Sequence, residues 1–105
     1  MVERQGPPEV DRVEASRKAV AARRARASLK RDINTRVITP QEALRRGLAD
    51  PDSAAGTLRV TEFLTSIPGV GEGKRDRILA QLGISPVKRL GGLGEVGVDL
   101  VQRQR

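Results

Sequence analysis

A glycine-rich turn followed by two cations is the segment of this sequence best suited to chemistry. It reads IPGVGEGKR from Ile67 to Arg75, with Lys74 and Arg75 directly after the last glycine. Glycine lets the backbone adopt φ values that other residues avoid, and it keeps Cβ atoms away from a ligand. If a helix begins after the turn, its free N–H groups and positive end favour an anion. The segment therefore predicts contact between bare backbone and a phosphate group.

Two nucleotide-binding motifs have a similar composition, and the spacing of the glycines excludes both. A P-loop requires four residues between its glycines and a Ser or Thr after its lysine. Here three residues separate Gly69 from Gly73, and Arg75 follows Lys74. A dinucleotide-binding fingerprint requires G-x-G-x-x-G directly after a strand, and neither the spacing nor a strand pattern is present. A plain connection between two helices is the alternative that remains.

The same combination of residue types recurs downstream, where Lys88 and Arg89 precede a second glycine-rich turn, LGGLG. This turn also leads toward a segment with a helical pattern, as an anion site at a helix start requires. A helix, two turns and a second helix would bring both glycine turns and this cationic pair to one side of the domain. The alternative is that these glycines form a flexible loop near the C-terminus with no role in binding.

The net charge of +7 over 105 residues is unevenly distributed. Residues 12–36 hold nine basic and two acidic residues, and residues 68–105 hold seven basic and four acidic ones. This asymmetry predicts a polyanionic partner, nucleic acid before an anionic membrane, although a solvated charged helix is an alternative. The residues that we expect to bind phosphate are Gly69, Val70, Gly71, Gly73, Lys74, Arg75, Lys88 and Arg89, with Arg23, Arg24, Arg26 and Lys30 of the N-terminal segment.

Two residue types that are common in catalytic and metal-binding sites are missing from the sequence. The chain has no Cys and no His, which removes disulfides, thiolate metal sites, the commonest general base and the commonest metal ligand. We interpret Asp76 and Asp99 as isolated surface acids. No apolar run approaches the ~20 residues that span a bilayer, and the first four residues do not begin a signal peptide. We therefore expect a cytoplasmic, monomeric, non-enzymatic protein with no metal, no cofactor and no membrane partner.

The pattern of apolar residues predicts an all-α domain, because nothing alternates with a period of two for long enough to form a sheet. Residues 1–8 end in Gly-Pro-Pro and are expected to be a disordered lead-in. No Gly or Pro interrupts residues 9–34, which predicts one long basic helix. Its last third should pack on the body through Ala22, Ala25, Leu29 and Ile33. Residues 39–105 should form a helical body with a glycine hairpin at 67–71.

Cap residues, prolines and glycines divide this body into short helices. Three helix starts are expected at Thr39 (with a capping box to Glu42), at Asp50-Pro51 for one turn, and at Ser85-Pro86 for another. These three helices should be ended by Gly47, by Gly56 and by the glycines from Gly91 onward. Apolar spacing predicts further helices over residues 59–66, 72–82 (ended by Gly83) and 95–102.

Three stretches of the chain resemble the actinobacterial integration host factor family: KAVAARRARASLK at 18–30, GTLRVTEFLTSIPGVG at 56–71 and ILAQLGISPVKRLGGLG at 78–94. The resemblance covers most of residues 17–94. It implies a long N-terminal helix and a helix-two-turns-helix body, similar to a helix-hairpin-helix. It also implies a nucleoid-associated protein that binds duplex DNA largely without regard to sequence, bends it, and assists site-specific recombination of phage DNA with an integrase complex.

Three positions depart from the pattern of that family. Glu72 stands where a basic residue usually follows the second glycine of the hairpin, and Arg75 stands where a small residue is usual. Gly91 stands where a third arginine usually follows the pair that matches Lys88 and Arg89. These departures concern affinity and contacts more than the fold.

Two other classes of protein use similar motifs. A small-subunit ribosomal protein carries a helix-two-turns-helix with a glycine hairpin and a basic extension, which makes duplex RNA the alternative ligand. The lack of Trp and Tyr argues against stacking on single-stranded bases. Some DNA-repair enzymes carry the motif as a binding appendage, but this chain has no room for a separate catalytic domain.

Overall fold

The computed structural model describes residues 9–94, with side chains from Arg12 onward. Five α-helices and one 3-10 helix follow one another along this part of the chain. Within it, strand pairing is limited to one isolated bridge between Arg59 and Arg89, so the all-α prediction is confirmed. The lead-in expected at residues 1–8 and the helix expected at 95–102 lie outside the described residues. The helices are α1 (Glu9–Asn34), α2 (Pro40–Ala49), α3 (Ala54–Thr57), α4 (Val60–Ser66) and α5 (Glu72–Leu82), followed by the 3-10 helix Leu90–Gly92.

Within residues 12–94, the contacts of helix α1 with the rest of the protein lie near its C-terminal end. Leu29 and Ile33 are buried, whereas the side chains from Arg12 to Ala25 are exposed, apart from a half-buried Val20. The last third therefore packs as predicted, but the contribution expected from Ala22 and Ala25 is wrong, because the body does not extend that far along the helix. Neither α1 nor any other described helix is both long and apolar enough to cross a membrane.

Three polar contacts join α1 to α3 and α4 in order along the chain. Arg26 donates to the hydroxyl of Thr57 (3.2 Å), and Lys30 lies 3.8 Å from the carboxylate of Glu62. The side-chain amide of Asn34 then donates to the carbonyl of Ser66 at 3.3 Å. The three contact residues on α1 are spaced four apart, and their partners in α3 and α4 follow in the same order with spacings of five and four. Helices α1 and α4 therefore run side by side in the same direction.

Helix α2 begins as its sequence predicts and ends later. The hydroxyl of Thr39 accepts from the backbone N–H of Glu42 (3.1 Å), and Pro40 occupies the first turn. The reciprocal half of a capping box is replaced by ion pairs between Glu42 and two arginines one turn on, Arg45 and Arg46. The helix continues through Gly47 to Ala49. Gly47 does not end the helix; it is buried where a Cβ would lie 3.1 Å from the backbone of Ala55.

Two glycines, Gly56 and Gly91, pack closely against Pro51. Two of the expected helix boundaries in this region are wrong. The short helix α3 is capped by Ser53, whose hydroxyl accepts from Gly56 N–H (3.0 Å), and not by Asp50. Gly56 lies inside α3, where a Cβ would come within 2.5 Å of the Pro51 carbonyl. A Cβ on Gly91 would lie 2.7 Å from the Cα of Pro51. These glycines are therefore required for close packing and do not act as helix breakers.

The core forms where α4 packs against α1 and α5, and where α2, α3 and the 3-10 helix pack against one another. Phe63 and Leu64 of α4 are fully buried, and Leu79 anchors α5. Gly83 ends α5 with a φ of 67°, the left-handed conformation expected of a C-terminal glycine. The largest fully buried side chains are Phe63, Ile33, Leu44, Leu58, Leu64, Leu90 and Val60.

The helical turn expected at Ser85-Pro86 is wrong in position. These residues form a turn closed by a hydrogen bond from Lys88 N–H to the Ser85 carbonyl at 3.0 Å. The helical segment begins instead at Leu90, as a 3-10 helix that contains Gly91 and Gly92. Leu90 is fully buried, so its side chain holds this turn against the core.

Two glycine-to-alanine substitutions should shift stability in opposite directions. Gly56→Ala forces a Cβ onto the Pro51 carbonyl, and we expect it to lower the free energy of unfolding by about 2–4 kcal/mol. The Cβ added by Gly73→Ala inside helix α5 meets no described atom within 4 Å, so this variant should raise the free energy of unfolding by about 0.5–1 kcal/mol. Urea unfolding followed by circular dichroism measures both. Equal midpoints for the two variants would contradict the packing described around Pro51.

Candidate nucleic-acid interface

The glycine hairpin is anchored from below by two apolar side chains. Ile67 and Val70 are both 8% exposed, and Val70 N–H donates to the Ile67 carbonyl at 3.1 Å. Between them Gly69 has a φ of 87°, which other residues adopt only with strain. The expectation that the Val70 amide is free for phosphate is wrong, because that amide closes the turn. Val70 instead fixes the path of the hairpin.

The amides that remain free lie just after the hairpin, at the start of α5. The first hydrogen bond of this helix runs from Arg75 N–H to the Gly71 carbonyl (2.9 Å). The N–H groups of the three residues between them therefore have no acceptor in the helix, and no side chain in the described part of the chain caps it. A Cβ at Gly71 or Gly73 would meet nothing within 4 Å, so this end of the helix is open to a ligand. An anion fits here.

The charges beside these amides are of both signs. Lys74 is exposed and has no ion-pair partner among the described residues. Arg75 is largely covered and donates to the carboxylate of Asp76 at 3.0 Å, so part of its charge is already compensated. Glu72 occupies the first turn of α5, where a carboxylate is stabilised by the helix dipole but opposes an incoming phosphate. Lys74 is thus the cation of the hairpin that is available to a ligand.

A second cluster of positive charge is built by the isolated bridge between Arg59 and Arg89. Val60 N–H donates to the Lys88 carbonyl (2.8 Å) and Leu90 N–H donates to the Leu58 carbonyl (3.0 Å). This pattern makes Arg59 and Arg89 a non-hydrogen-bonded pair, whose side chains leave the same face. Both arginines are exposed, and neither has an acidic partner in the described part of the chain. Like charges placed opposite each other destabilise the pair unless an anion lies between them.

Lys88 adds a third cation to this bridge cluster, which we define as Arg59, Lys88 and Arg89. The stem of Lys88 passes over Gly92, where a Cβ would lie 3.3 Å from its Cε. Lys88 and Gly92 also line a recess of about 340 Å³ at the second glycine turn. The cluster lies at the N-terminal end of α4 and the hairpin at its C-terminal end. The seven residues of α4 separate the two by about 10 Å.

The four residues predicted on α1 divide into two kinds. Arg23 and Arg24 are exposed and have no partner among the described residues, so both are available to a ligand. Arg26 is half-buried and donates to Thr57, and Lys30 is paired with Glu62. Their contact with nucleic acid stays a prediction. In the structure, Arg26 and Lys30 also hold α1 against the body through these contacts.

Packing explains why Gly91 carries no cationic side chain. Its Cβ would lie 2.7 Å from the Cα and 2.8 Å from the Cβ of Pro51. An arginine at this position would require the chain around Pro51 to move away. Gly91 therefore supplies close packing, while the bridge places Arg59 next to Arg89 from another part of the chain.

Comparison with known proteins decides the family. Residues 35–103 match the family model described as S13-like H2TH domain. The integration host factor of Streptomyces coelicolor is 33% identical over 93 residues, which are 89% of this chain and 85% of that protein. The integration host factor of Mycobacterium tuberculosis is 38% identical over 84 residues, covering 80% of this chain and 78% of that protein. The chain belongs to the integration host factor family.

A solved member of the integration host factor family has the same fold. The structure of sIHF bound to an 8bp palindromic DNA aligns with a TM-score of 0.72 at 33% identity. The alignment covers 83% of this chain and 96% of that chain. The resemblance inferred from the three sequence stretches is therefore confirmed.

Arg59 was not among the predicted phosphate-binding residues, although the structure places it beside Arg89. Arg59 stands alone among apolar residues in LRV, and no local pattern links it to a residue thirty positions later. Arg77 was also missed; it is exposed on α5, one turn after Lys74. The spacing of three residues on a predicted helix is a signal that could have identified Arg77.

The two kinds of arginine on α1 can be separated by stability. Arg26→Ala removes the hydrogen bond to Thr57 and the packing of a half-buried side chain, and should lower the free energy of unfolding by about 1 kcal/mol. Arg23→Ala is the matched control on an exposed turn of α1 and should change it by less than about 0.5 kcal/mol. Chemical denaturation measures both. If Arg26→Ala is as stable as Arg23→Ala, the contact with Thr57 does not anchor α1.

Proposed function

We propose that this protein is a non-enzymatic architectural protein that binds duplex DNA through its helix-two-turns-helix body. It bends the duplex, acts in the nucleoid of the cytoplasm as a monomer, and supports site-specific recombination of phage DNA alongside an integrase. The hairpin amides and the bridge cluster hold phosphates of the duplex. Arg23 and Arg24, with Arg26 and Lys30, hold phosphates that flank this contact or belong to a second duplex.

The observation that carries this proposal is the pairing of Arg59 with Arg89. Two guanidinium groups opposite each other in a bridge raise the energy of the free protein, and no acid among the described residues relieves it. A polyanion relieves the repulsion on binding and releases its own counterions. The free N–H groups at the start of α5, which follow the hairpin at the other end of α4, provide a second phosphate site for the same ligand.

The chemistry of these sites favours binding that depends little on base sequence. Backbone amides, lysine and arginine at helix ends reach phosphate oxygens, which carry no sequence information. Sequence preference would then come from how easily each duplex deforms.

The relatives support duplex DNA as the ligand. The chain covers 85% and 78% of two proteins named integration host factor, and its fold matches that of sIHF bound to DNA. Bending, the nucleoid location and the part in recombination rest on the resemblance to that family.

Duplex RNA is the second candidate ligand. The family model is described as S13-like, which favours the ribosomal alternative more than the sequence did alone. Both candidates use the same phosphate chemistry, and they differ in groove shape and in the 2′-hydroxyl of RNA.

A titration at several salt concentrations tests the phosphate contacts. If six to eight phosphates are neutralised, the logarithm of the association constant should fall against the logarithm of salt with a slope of roughly −5 to −7. Fluorescence anisotropy of a labelled 20-bp duplex measures it. A slope near zero would remove nucleic acid as the ligand.

The same titration with a 20-bp RNA of identical sequence separates the two candidates. We expect tighter binding to the DNA duplex at every salt concentration. Tighter binding to RNA would replace the architectural DNA function by the ribosomal one.

Gly71→Asp tests the hairpin site and should separate stability from binding. Gly71 has an extended backbone at the N-cap of α5, where Asp is among the preferred residues, so the variant should stay folded or gain up to about 1 kcal/mol. Its carboxylate occupies the position proposed for phosphate, so affinity for the duplex should fall at least tenfold, or about 1.4 kcal/mol. Thermal unfolding and anisotropy measure the two effects.

Gly71→Ala is the matched control, because it adds a Cβ without a charge. The Cβ meets no atom of the protein within 4 Å, so any loss of affinity reports steric blocking of the ligand alone. If Gly71→Asp binds the duplex as well as the parent while folded, the hairpin is a connection between helices and not a phosphate site.

A further inference from the structure

The turn that joins α1 to α2 carries an arginine in an unusual backbone conformation. Arg36 has a φ of 67° and is the non-glycine residue with positive φ in residues 9–94. Arg36 N–H donates to the Ile33 carbonyl (3.2 Å), and the next N–H, of Val37, donates to the Asp32 carbonyl (2.8 Å). This pair of bonds is the Schellman motif, in which Arg36 takes the position that glycine usually occupies.

Capping of α1 does not explain why an arginine occupies this position. Glycine adopts the left-handed conformation without the Cβ clash that every other residue meets. A cation is favourable near the negative end of a helix, but Arg31 already supplies one in the last turn of α1 without strain. Strained residues of this kind concentrate at ligand sites. A role of the Arg36 side chain other than helix capping therefore has to account for this residue.

The position of Arg36 brings it beside the glycine hairpin. Arg36 lines a groove of about 200 Å³ together with Ile67 and Pro68, the first two residues of the hairpin. The end of α1 is tied to the same place, because the amide of Asn34 donates to the Ser66 carbonyl. Arg36 is exposed and has no ion-pair partner in the described part of the chain. Val37 next to it is 75% exposed, so no described element covers the turn.

We propose that Arg36 is a further phosphate-binding residue, which extends the hairpin site onto the turn between α1 and α2. This proposal rests on the proposed function, since it takes the same duplex as ligand. The rigid Schellman turn holds the guanidinium next to the hairpin, and the strain in the backbone is the cost of that placement. Arg36 supplies an uncompensated charge beside Ile67 and Pro68 of the hairpin. In the helix that follows the hairpin, Arg75 is partly neutralised by Asp76, and Glu72 opposes phosphate.

If Arg36 binds phosphate, Arg36→Gly should make the protein more stable and its binding to the duplex weaker. Glycine relieves the strained conformation, so the melting temperature of the full chain should rise by about 4–8 °C. Loss of one phosphate contact should make the salt slope on a 20-bp DNA duplex shallower by about 0.9 and weaken binding up to about eightfold at 0.1 M salt. Fluorescence anisotropy and thermal unfolding provide the two readouts.

Two variants control for charge and backbone. Arg45→Gln removes the same single charge from α2, where Glu42 keeps its pair with Arg46, and should leave the slope unchanged. Arg36→Lys keeps the charge on the strained backbone and should retain the parent slope. A shallower slope for Arg36→Lys, or equal slopes for Arg36→Gly and Arg45→Gln, overturns the proposal.

Gly71→Asp in the same series separates this proposal from the proposed function. If Gly71→Asp loses affinity while Arg36→Gly keeps the parent slope, the hairpin binds the duplex and Arg36 does not. If neither variant loses affinity while both remain folded, the helix-two-turns-helix is not the duplex-binding surface, and the two proposals fail together.

Discussion

Two backbone hydrogen bonds between the start of α4 and the chain after α5 hold this small domain together. They join Val60 to Lys88 and Leu90 to Leu58, which lie 28 and 32 positions apart in the sequence. Leu58, Val60 and Leu90 are fully buried, so the bonds are shielded from water by the side chains that they position. The same two bonds place Arg59 opposite Arg89. Core packing and the charge of the proposed site therefore depend on one structural element.

The glycines of this chain serve two opposite physical purposes. Gly56 and Gly91 are packed so tightly against Pro51 that a single methyl group has no room. Gly71 and Gly73 border open space, and the protein itself does not require them to lack a side chain. A glycine that the fold does not need is best explained by a ligand that approaches the backbone closely. In the hairpin Gly69 meets a further requirement, because its positive φ forms the turn, while its neighbours leave the helix start uncovered.

Local signals in the sequence predicted the helices well, and long-range contacts account for the errors. Thr39 and Gly83 cap their helices as expected, because capping depends only on residues within one turn. Gly47 and Gly56 were expected to end helices, but both lie inside one and admit a neighbouring segment. The hairpin cations could be predicted from their spacing, whereas Arg59 and Arg36 could not. The position of Arg59 depends on a bridge across the domain. The position of Arg36 depends on a left-handed backbone conformation, which an arginine in the sequence does not indicate.

The exposed part of α1 behaves as a rod fixed at one end. Leu29 and Ile33 hold its base, and the fourteen residues from Arg12 to Ala25 extend about 21 Å beyond the body. A tilt of about 10° at the base moves the tip sideways by about 4 Å, which is close to the 3.4 Å spacing of phosphates along one strand. Arg12 and Arg17 near the tip can therefore shift by one nucleotide step without any change at the hairpin, whereas Arg23 and Arg24 near the base move little. This mechanical tolerance suits charges that follow a duplex whose curvature varies from site to site.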